Sequence, residues 1–495
     1  MHELEPSPRQ ANIIGIDLGI EFTTVARVNE AGRAEITNNA EGETQTPSVI
    51  QIDASGDEIV GTEAKKLVGQ GIENVFTEFK RNIGTDQLWQ VGNRRITPEH
   101  LTSILLKKVV QDYTEQFGAP TTIAITWPAN FREEQREATK SAARRAGLRN
   151  VFFIEDPTAV ALFYANETPL YGKYLVFDLG QMSLDVTLFE AAGVDIAVIY
   201  QGGIQHLGVK DVDTAILGII RAKLEKIIGE KLGADDDFVA KYDLDKTRDT
   251  LFRNNHSTLK LVSMKHGLAV IKITPGEFME SVQQLVEQAE MACDYALRCG
   301  QNREAGIVKK PDIKGVFMTG HGSNVPAFQA LMKKMFGMNP QLKELDHSKA
   351  LGAAIFAALK TDVGSLKPLQ RTSCRHDSEI TDVSPHYLGI TYNDWLTGES
   401  YNRIIFPKGT MIPCRKQFTL TADAHGCLPT IHINQSAIEE LNLDFVTTIW
   451  EAEFPKGPAY GKHELSLGYH DDGTIFCRVV READGQAIGL NSSPE

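Results

Sequence analysis

Two aspartates about 160 residues apart carry the clearest chemistry in this chain: Asp17 in Gly15-Ile16-Asp17-Leu18-Gly19, and Asp178 in Val176-Phe177-Asp178-Leu179-Gly180. Each closes an apolar run, and a second apolar run, residues 22–28 or 184–189, follows the glycine almost at once. That pattern predicts strand, tight turn, strand. A glycine turn lets backbone N–H groups approach a phosphate, and a neighbouring aspartate can hold a hydrated divalent cation on it. The duplication predicts two similar lobes gripping one nucleotide, although either aspartate alone reads as well as a strand-ending turn former.

The elements that must position these turns follow from composition and periodicity. With 495 residues, 42% hydrophobic and 23% charged, the chain can build several compact domains and is too apolar to be largely disordered. A net charge of −14 disfavours general affinity for nucleic acid or anionic lipid, which rests on Lys and Arg neutralising phosphate. Residues 1–10 lack the apolar core of a signal peptide, and the uncharged run 350–359 is about half the length of a membrane span. A cytoplasmic protein is expected. Cys293, Cys299, Cys374, Cys414, Cys427 and Cys477 show no Cys-x-x-Cys pair, so reduced structural thiols are expected rather than a metal site.

Residues 12–166 alternate strands and helices. Thr97-Pro98 starts a helix with Leu101, Ile104, Leu105 and Val109 on one face; a buried strand at 122–126, a charged helix at 131–146 and a strand at 151–154 follow. The plan then repeats, with strands at 174–177, 184–189 and 194–200 and a helix at 211–232. A long helix at 275–298, a strand at 315–319 entering the turn Gly320-His321-Gly322-Ser323, and helices near 325–336 and 347–359 complete it. Residues 361–381 lack apolar period and read as a linker. Beyond them, apolar runs at 387–391, 401–405, 417–422, 429–434, 446–454, 463–469 and 474–480 have the spacing of a β-sandwich.

In this order the segments resemble the seventy-kilodalton heat-shock chaperone family over nearly the whole chain. The resemblance is carried by the two hairpins, Glu41-Gly42-Glu43-Thr44-Gln45-Thr46-Pro47-Ser48, and Phe79-Lys80-Arg81-Asn82-Ile83-Gly84. It continues through Trp127-Pro128-Ala129-Asn130-Phe131-Arg132, Glu155-Asp156-Pro157-Thr158-Ala159, Gly203-Ile204-Gln205-His206-Leu207-Gly208, Gly320 to Ser323 with Gly352-Ala353-Ala354, and Asp382-Val383-Ser384-Pro385. It implies an α/β, two-lobed actin-like ATPase domain at 12–360, with lobe I at 12–170 and lobe II at 171–360. A linker at 361–381 and an all-β sandwich peptide-binding domain at 382–490 would follow, without a C-terminal helical lid.

ATP or ADP and Mg2+ would occupy the central cleft, and the sandwich would hold unfolded or extended peptide segments. Co-chaperones are candidate partners, and a role in protein folding under stress is implied. By position, Asp17 and Asp178 would face the hydrated metal, with Asp185 near the attacking water. Lys80 would be the phosphate-directed catalytic lysine, and Asp156 would stand where the family usually has glutamate. Gly19, Ile20, Glu21, Gly180, Gln181, Ser183, Gly203, Gly320, His321, Gly322 and Asp346 would line the nucleotide. Pro128 and Arg136 would relay between domains, and Leu428, Ile431 and Ile433 would contact peptide.

The pattern departs from the family at the phosphate turns. Ile20 and Glu21 stand where two threonines are usual, Gln181 and Met182 where two glycines are usual, and Val209-Lys210 replace a glycine and an acid. A carboxylate about 4 Å from a phosphate costs on the order of 4 kcal/mol at an effective dielectric near 20, unless a cation intervenes. Lys210 is a candidate for that cation. Around residues 253–260 the charged groups that ordinarily flank adenine are not found. Slow or impaired hydrolysis is therefore expected, and the alternative is a non-hydrolysing interaction module binding a specific protein partner. A small-molecule kinase on the same architecture is argued against by the β domain.

Overall fold

The computed structural model describes residues 11–488, except 194, 233–246, 249, 252–256, 264–266, 300–307, 362–379, 394–398, 455 and 459. The chain divides into two compact units: Met1–Leu170, Glu190–Gln201 and Lys349–Glu495 in the first, Tyr171–Phe189 and Gly202–Ser348 in the second. The C-terminal β region therefore packs into the same unit as the first lobe.

The first unit is built on a sheet ordered Val151–Glu155, Thr122–Trp127, Ile13–Leu18, Phe22–Val28, Ala34–Ile36. Its central strands are parallel and apolar on both faces, the pattern of a sheet covered on each side by helices. The first hairpin adds the antiparallel strand, with Asp17 opposite Thr24 and Leu18 opposite Thr23. Helix Pro98–Phe117 starts as its sequence predicts. The Thr97 hydroxyl accepts the His100 N–H at 3.1 Å, and Leu101, Ile104, Leu105 and Val109 are buried.

Helix Asp156–Glu167 was not legible in the sequence. Nine consecutive residues, Pro157 to Ala165, are buried, so the helix has no polar face to give it an amphipathic period.

Seven strands form the sandwich as two sheets. One is ordered Ser400–Phe406, Tyr387–Asn393, Ile431–Ser436, Thr447–Ala452, and the other Cys414–Thr421, Lys462–Tyr469, Ile475–Arg481. Leu388, Ile405, Leu465, Leu467, Cys477 and Val479 fill the layer between them. Strand Ile380–Val383 pairs Ile380 with Ile196 and Thr381 with Ala197. The last two residues assigned to the linker are therefore sheet, and residues 362–379 lie outside the described residues.

In the second unit, strand Leu170–Leu179 lies between Ile313–Thr319 and Leu184–Gly193, with Asp178 opposite Thr319. The rings of Tyr174, Phe189 and Phe317 stack with centroids 5.4 to 6.1 Å apart. The helix expected at 275–298 is two helices, Pro275–Ser281 and Gln283–Cys299. Phe278, Val282, Ala289 and Cys293 are all buried, so the apolar period runs through the break and hides it. The five described cysteines form no disulfide, and no described helix is long and apolar enough to cross a membrane.

Candidate functional site

The first unit holds Asp17, Gly19, Ile20, Glu21, Lys80 and Asp156 around the first hairpin turn. A side chain at Gly19 would put its Cβ 2.2 Å from the Phe22 carbonyl oxygen, so the turn closes only around glycine. Ser48 pins it from outside: its hydroxyl donates to the Gly19 carbonyl at 3.0 Å and its N–H to the Glu21 carbonyl at 2.8 Å. Lys80, on the short turn Phe79–Asn82, is 5% exposed and donates from its ammonium to the Leu18 carbonyl. Burial pushes the Lys80 pKa down, while the charges of Asp156 and Asp17 oppose that shift.

Asp17 accepts from the Thr126 hydroxyl at 3.3 Å. Asp156 opens its helix with Oδ1 buried and without a hydrogen-bond partner among the described residues. Two lysines that sequence reasoning missed belong to this cluster. Lys65 Nζ stands 4.0 Å from Glu21 Oε1, and Lys349 Nζ 3.8 Å from Asp156 Oδ2. Neither carries a local sequence signal, because each is brought in by a helix remote from the turn.

The second unit holds Asp178, Gly180, Gln181, Ser183, Asp185 and Gly203 around the second hairpin. Here the backbone fastens the turn. The Gly180 N–H donates to the Ser183 carbonyl at 2.9 Å, and the Val209 and Lys210 N–H groups donate to the Gly180 and Gln181 carbonyls at 3.1 Å. Those two donors open helix Val209–Ile228 and are spent on the loop instead of facing outward for an anion. Gln181 Oε1 is buried without a hydrogen-bond partner among the described residues, and Ser183 Oγ donates to Asp185 Oδ2 at 3.3 Å. From the neighbouring strand end, the Gly320 N–H donates to the Leu345 carbonyl at 2.9 Å, and His321 Nδ1 lies 3.8 Å from Asp346 Oδ1. Gly322 packs on Leu179. Residues 252–256, in the stretch read for adenine contacts, lie outside the described residues.

Among the described residues no cluster of three or more His, Cys, Asp or Glu side chains is set to hold a metal directly. The buried, unpartnered oxygens of Asp156 and Gln181 can each take a hydrogen bond from water or ligand.

Arg136 lies where the first lobe meets the sandwich, and is 1% exposed. Its guanidinium donates to Glu155 Oε1 at 2.6 Å and to the Asp472 carbonyl at 2.8 Å, and lies 4.8 Å from the Trp127 ring centre. Lys140 pairs with Asp472 at 2.6 Å, and Glu133 accepts the Ile475 N–H at 2.9 Å. His386 contacts the Asn130 carbonyl at 3.1 Å. Pro128 holds the loop leading to this contact, its carbonyl accepting the Phe131 N–H at 3.1 Å. Burial pushes the carboxyls of Glu133 and Glu155 up to about 8, and raises Asp382, whose charge also acts on Glu155. Glu133 and Glu155 lie within segments that carry the family resemblance, whereas Lys140 and Asp472 carried no sequence signal beyond their charge.

The three residues expected to contact peptide lie in or against the sandwich core. Ile431 and Ile433 are two residues apart on one strand and so share a face, and both lie inside the sandwich core, 7% and 0% exposed. Both side chains contribute to the core of the sandwich. Leu428 is half-buried against the same core.

Comparison with known proteins agrees with this architecture. The family model for Hsp70 protein matches residues 13–443. The chain is 29% identical over 432 residues to the chaperone protein DnaK of Thermosipho melanesiensis, covering 85% of this chain and 69% of that protein. It is 30% identical over 429 residues to the DnaK proteins of Thermotoga neapolitana and Thermotoga maritima, covering 83% of this chain and 68% of each. With a buried lysine under an aspartate-glycine turn, a second such turn, and a β-sandwich after them, the chain belongs to the Hsp70 family of chaperones.

Proposed function

We propose that this chain binds ATP or ADP with Mg2+, hydrolyses ATP slowly, and transiently holds unfolded or extended polypeptide on its C-terminal sandwich. The reading rests chiefly on Lys80, a buried ammonium fixed beneath the first turn beside Asp17 and Asp156. Hydrolysis of a phosphoanhydride needs positive charge on the transferred phosphoryl group and a positioned water. Lys80 supplies the first. Asp156 and, on the other lobe, Asp185 are the candidates to orient the second, and Asp17 and Asp178 to hold water on the metal. Mg2+, when bound, would neutralise charge on the phosphates. Cytoplasmic action with co-chaperones belongs to the same reading.

A non-hydrolysing module with a specific protein partner is favoured by different observations. Ile20 and Glu21 replace hydroxyls at one turn, and at the other the Val209 and Lys210 N–H groups are committed to loop carbonyls. The deciding experiment titrates the full chain with ATP and ADP, with and without Mg2+, then follows phosphate release with and without an extended apolar peptide. Release stimulated by peptide is expected. Binding without release supports the module, and failure to bind either nucleotide overturns the ATPase reading.

A further inference from the structure

We propose that Lys349 is a built-in cation of the first lobe's phosphate half-site, standing beside Asp156 so that nucleotide binding depends only weakly on Mg2+. The inference rests on the nucleotide-binding reading above and adds to it a residue and a cation requirement.

Helix packing places the lysine. Helices Ser348–Leu359 and Asp156–Glu167 meet backbone to backbone, since a Cβ on Gly352 would fall 1.8 Å from the Ala159 carbonyl oxygen. Lys349 lies three residues before Gly352, and Asp156 three residues before Ala159, so each is about one helical turn from the contact. The close approach therefore sets ammonium against carboxylate. Lys349 Nζ lies 3.8 Å from Asp156 Oδ2, with the two side chains 15% and 13% exposed. A pair this secluded is screened less than a surface pair.

The same cluster holds a second ammonium. Asp156 and Asp17 act electrostatically on Lys80, and Lys349 acts on it as a like charge. Among the described residues, the carboxylates of Asp17 and Asp156 are thus set against the ammonium groups of Lys80 and Lys349. The added acid of the first turn, Glu21, likewise has Lys65 at 4.0 Å. Where carboxylates outnumber cations, a polyphosphate needs a divalent metal to offset repulsion; in this half-site the lysines already do so. Asp156 Oδ1, buried and without a hydrogen-bond partner among the described residues, leaves an acceptor for ligand or water beside the pair.

The test measures nucleotide affinity of the full chain by calorimetric titration with ADP and ATP, in excess Mg2+ and in EDTA, for the unaltered protein, K349M and K349R. Removing Mg2+ should weaken binding by less than about threefold in the unaltered protein and K349R, and by more than about tenfold in K349M. Thermal unfolding of each variant checks that it is folded, and the unaltered protein in EDTA tests the idea without any variant. A loss above about tenfold in the unaltered protein on Mg2+ removal, or equal losses in the unaltered protein and K349M, overturns the role of Lys349 while leaving nucleotide binding intact. No binding to any form in either buffer overturns the nucleotide reading, and this inference with it.

Discussion

The two hairpin turns begin from the same phrase and are held by opposite means. The first is pinned by side chains that arrive from elsewhere in the sequence, Ser48 on the Gly19 carbonyl and Lys80 on the Leu18 carbonyl. The second is fastened by backbone, through Gly180 to Ser183 and through the first N–H groups of helix Val209–Ile228. Their glycines differ accordingly. A Cβ at Gly19 would meet the Phe22 carbonyl at 2.2 Å, whereas one at Gly180 would make an ordinary 3.6 Å contact with the Ser183 carbonyl. Sequence likeness therefore does not carry over to mutational sensitivity. The first turn is vulnerable at remote side chains and at its glycine; the second is held by backbone hydrogen bonds that substitutions other than proline leave in place.

The largest expected effect is at Lys80. If the chain hydrolyses ATP, Lys80→Ala should cut phosphate release about a hundred- to a thousandfold, the usual cost of losing one transition-state charge contact. Equal rates for the variant and the unaltered protein in a single-turnover assay would remove the first turn from catalysis.

Next come the glycines. Gly19→Ala should destabilise the protein by about 3 kcal/mol, because backbone must move to relieve the overlap, while Gly180→Ala should cost less than about 1 kcal/mol. Denaturant unfolding measures both. Similar losses would abolish the contrast between the turns.

The first turn is also joined in sequence to the sandwich contact, since Asp156 is followed back along the chain by Glu155 and its partner Arg136. Glu133 and Glu155 are raised from an unfolded value near 4.5 to about 8, so the folded state holds the extra protons between those limits. Stability from these groups is complete below the unfolded pKa and is lost as pH rises through about 8. His386, pushed down to about 3 by burial, acts oppositely and is lost as pH falls from its unfolded value of 6.5. Above that value the carboxyls dominate. The first unit should weaken by about 1–3 kcal/mol between pH 6.5 and 8, and Glu133→Gln with Glu155→Gln should flatten the slope. Hydrogen exchange across residues 470–480 reports it; a rise in protection over that range would contradict the assignment.

The smallest effect separates the turns by their hydroxyls. Ser48→Ala should cost about 1 kcal/mol by unpairing the Gly19 carbonyl, and Ser183→Ala about half that, since its hydroxyl makes a longer bond, 3.3 Å, to Asp185. Equal melting temperatures for the two variants would weaken the distinction.

Sequence alone determined the two lobes and the sandwich, because each rests on local pattern: a repeated aspartate-glycine turn between apolar runs, and a period-two alternation beyond residue 380. It also supplied the Asp17 and Asp178 phrases, whereas Lys80 was singled out only through the family resemblance. Alternation makes at least one of Leu428, Ile431 and Ile433 a core residue, but which of them is inside depends on the second sheet, whose strands begin at Cys414, Lys462 and Ile475. Helix Asp156–Glu167 stayed hidden because burial on every side erases amphipathic period. Tertiary structure alone decided the partners: Lys349 over Asp156, Lys65 near Glu21, Arg136 between Glu155 and Asp472. Those pairings join residues from 19 to more than 300 positions apart, where only the packing of helices and sheets, and no local pattern, sets which charge meets which.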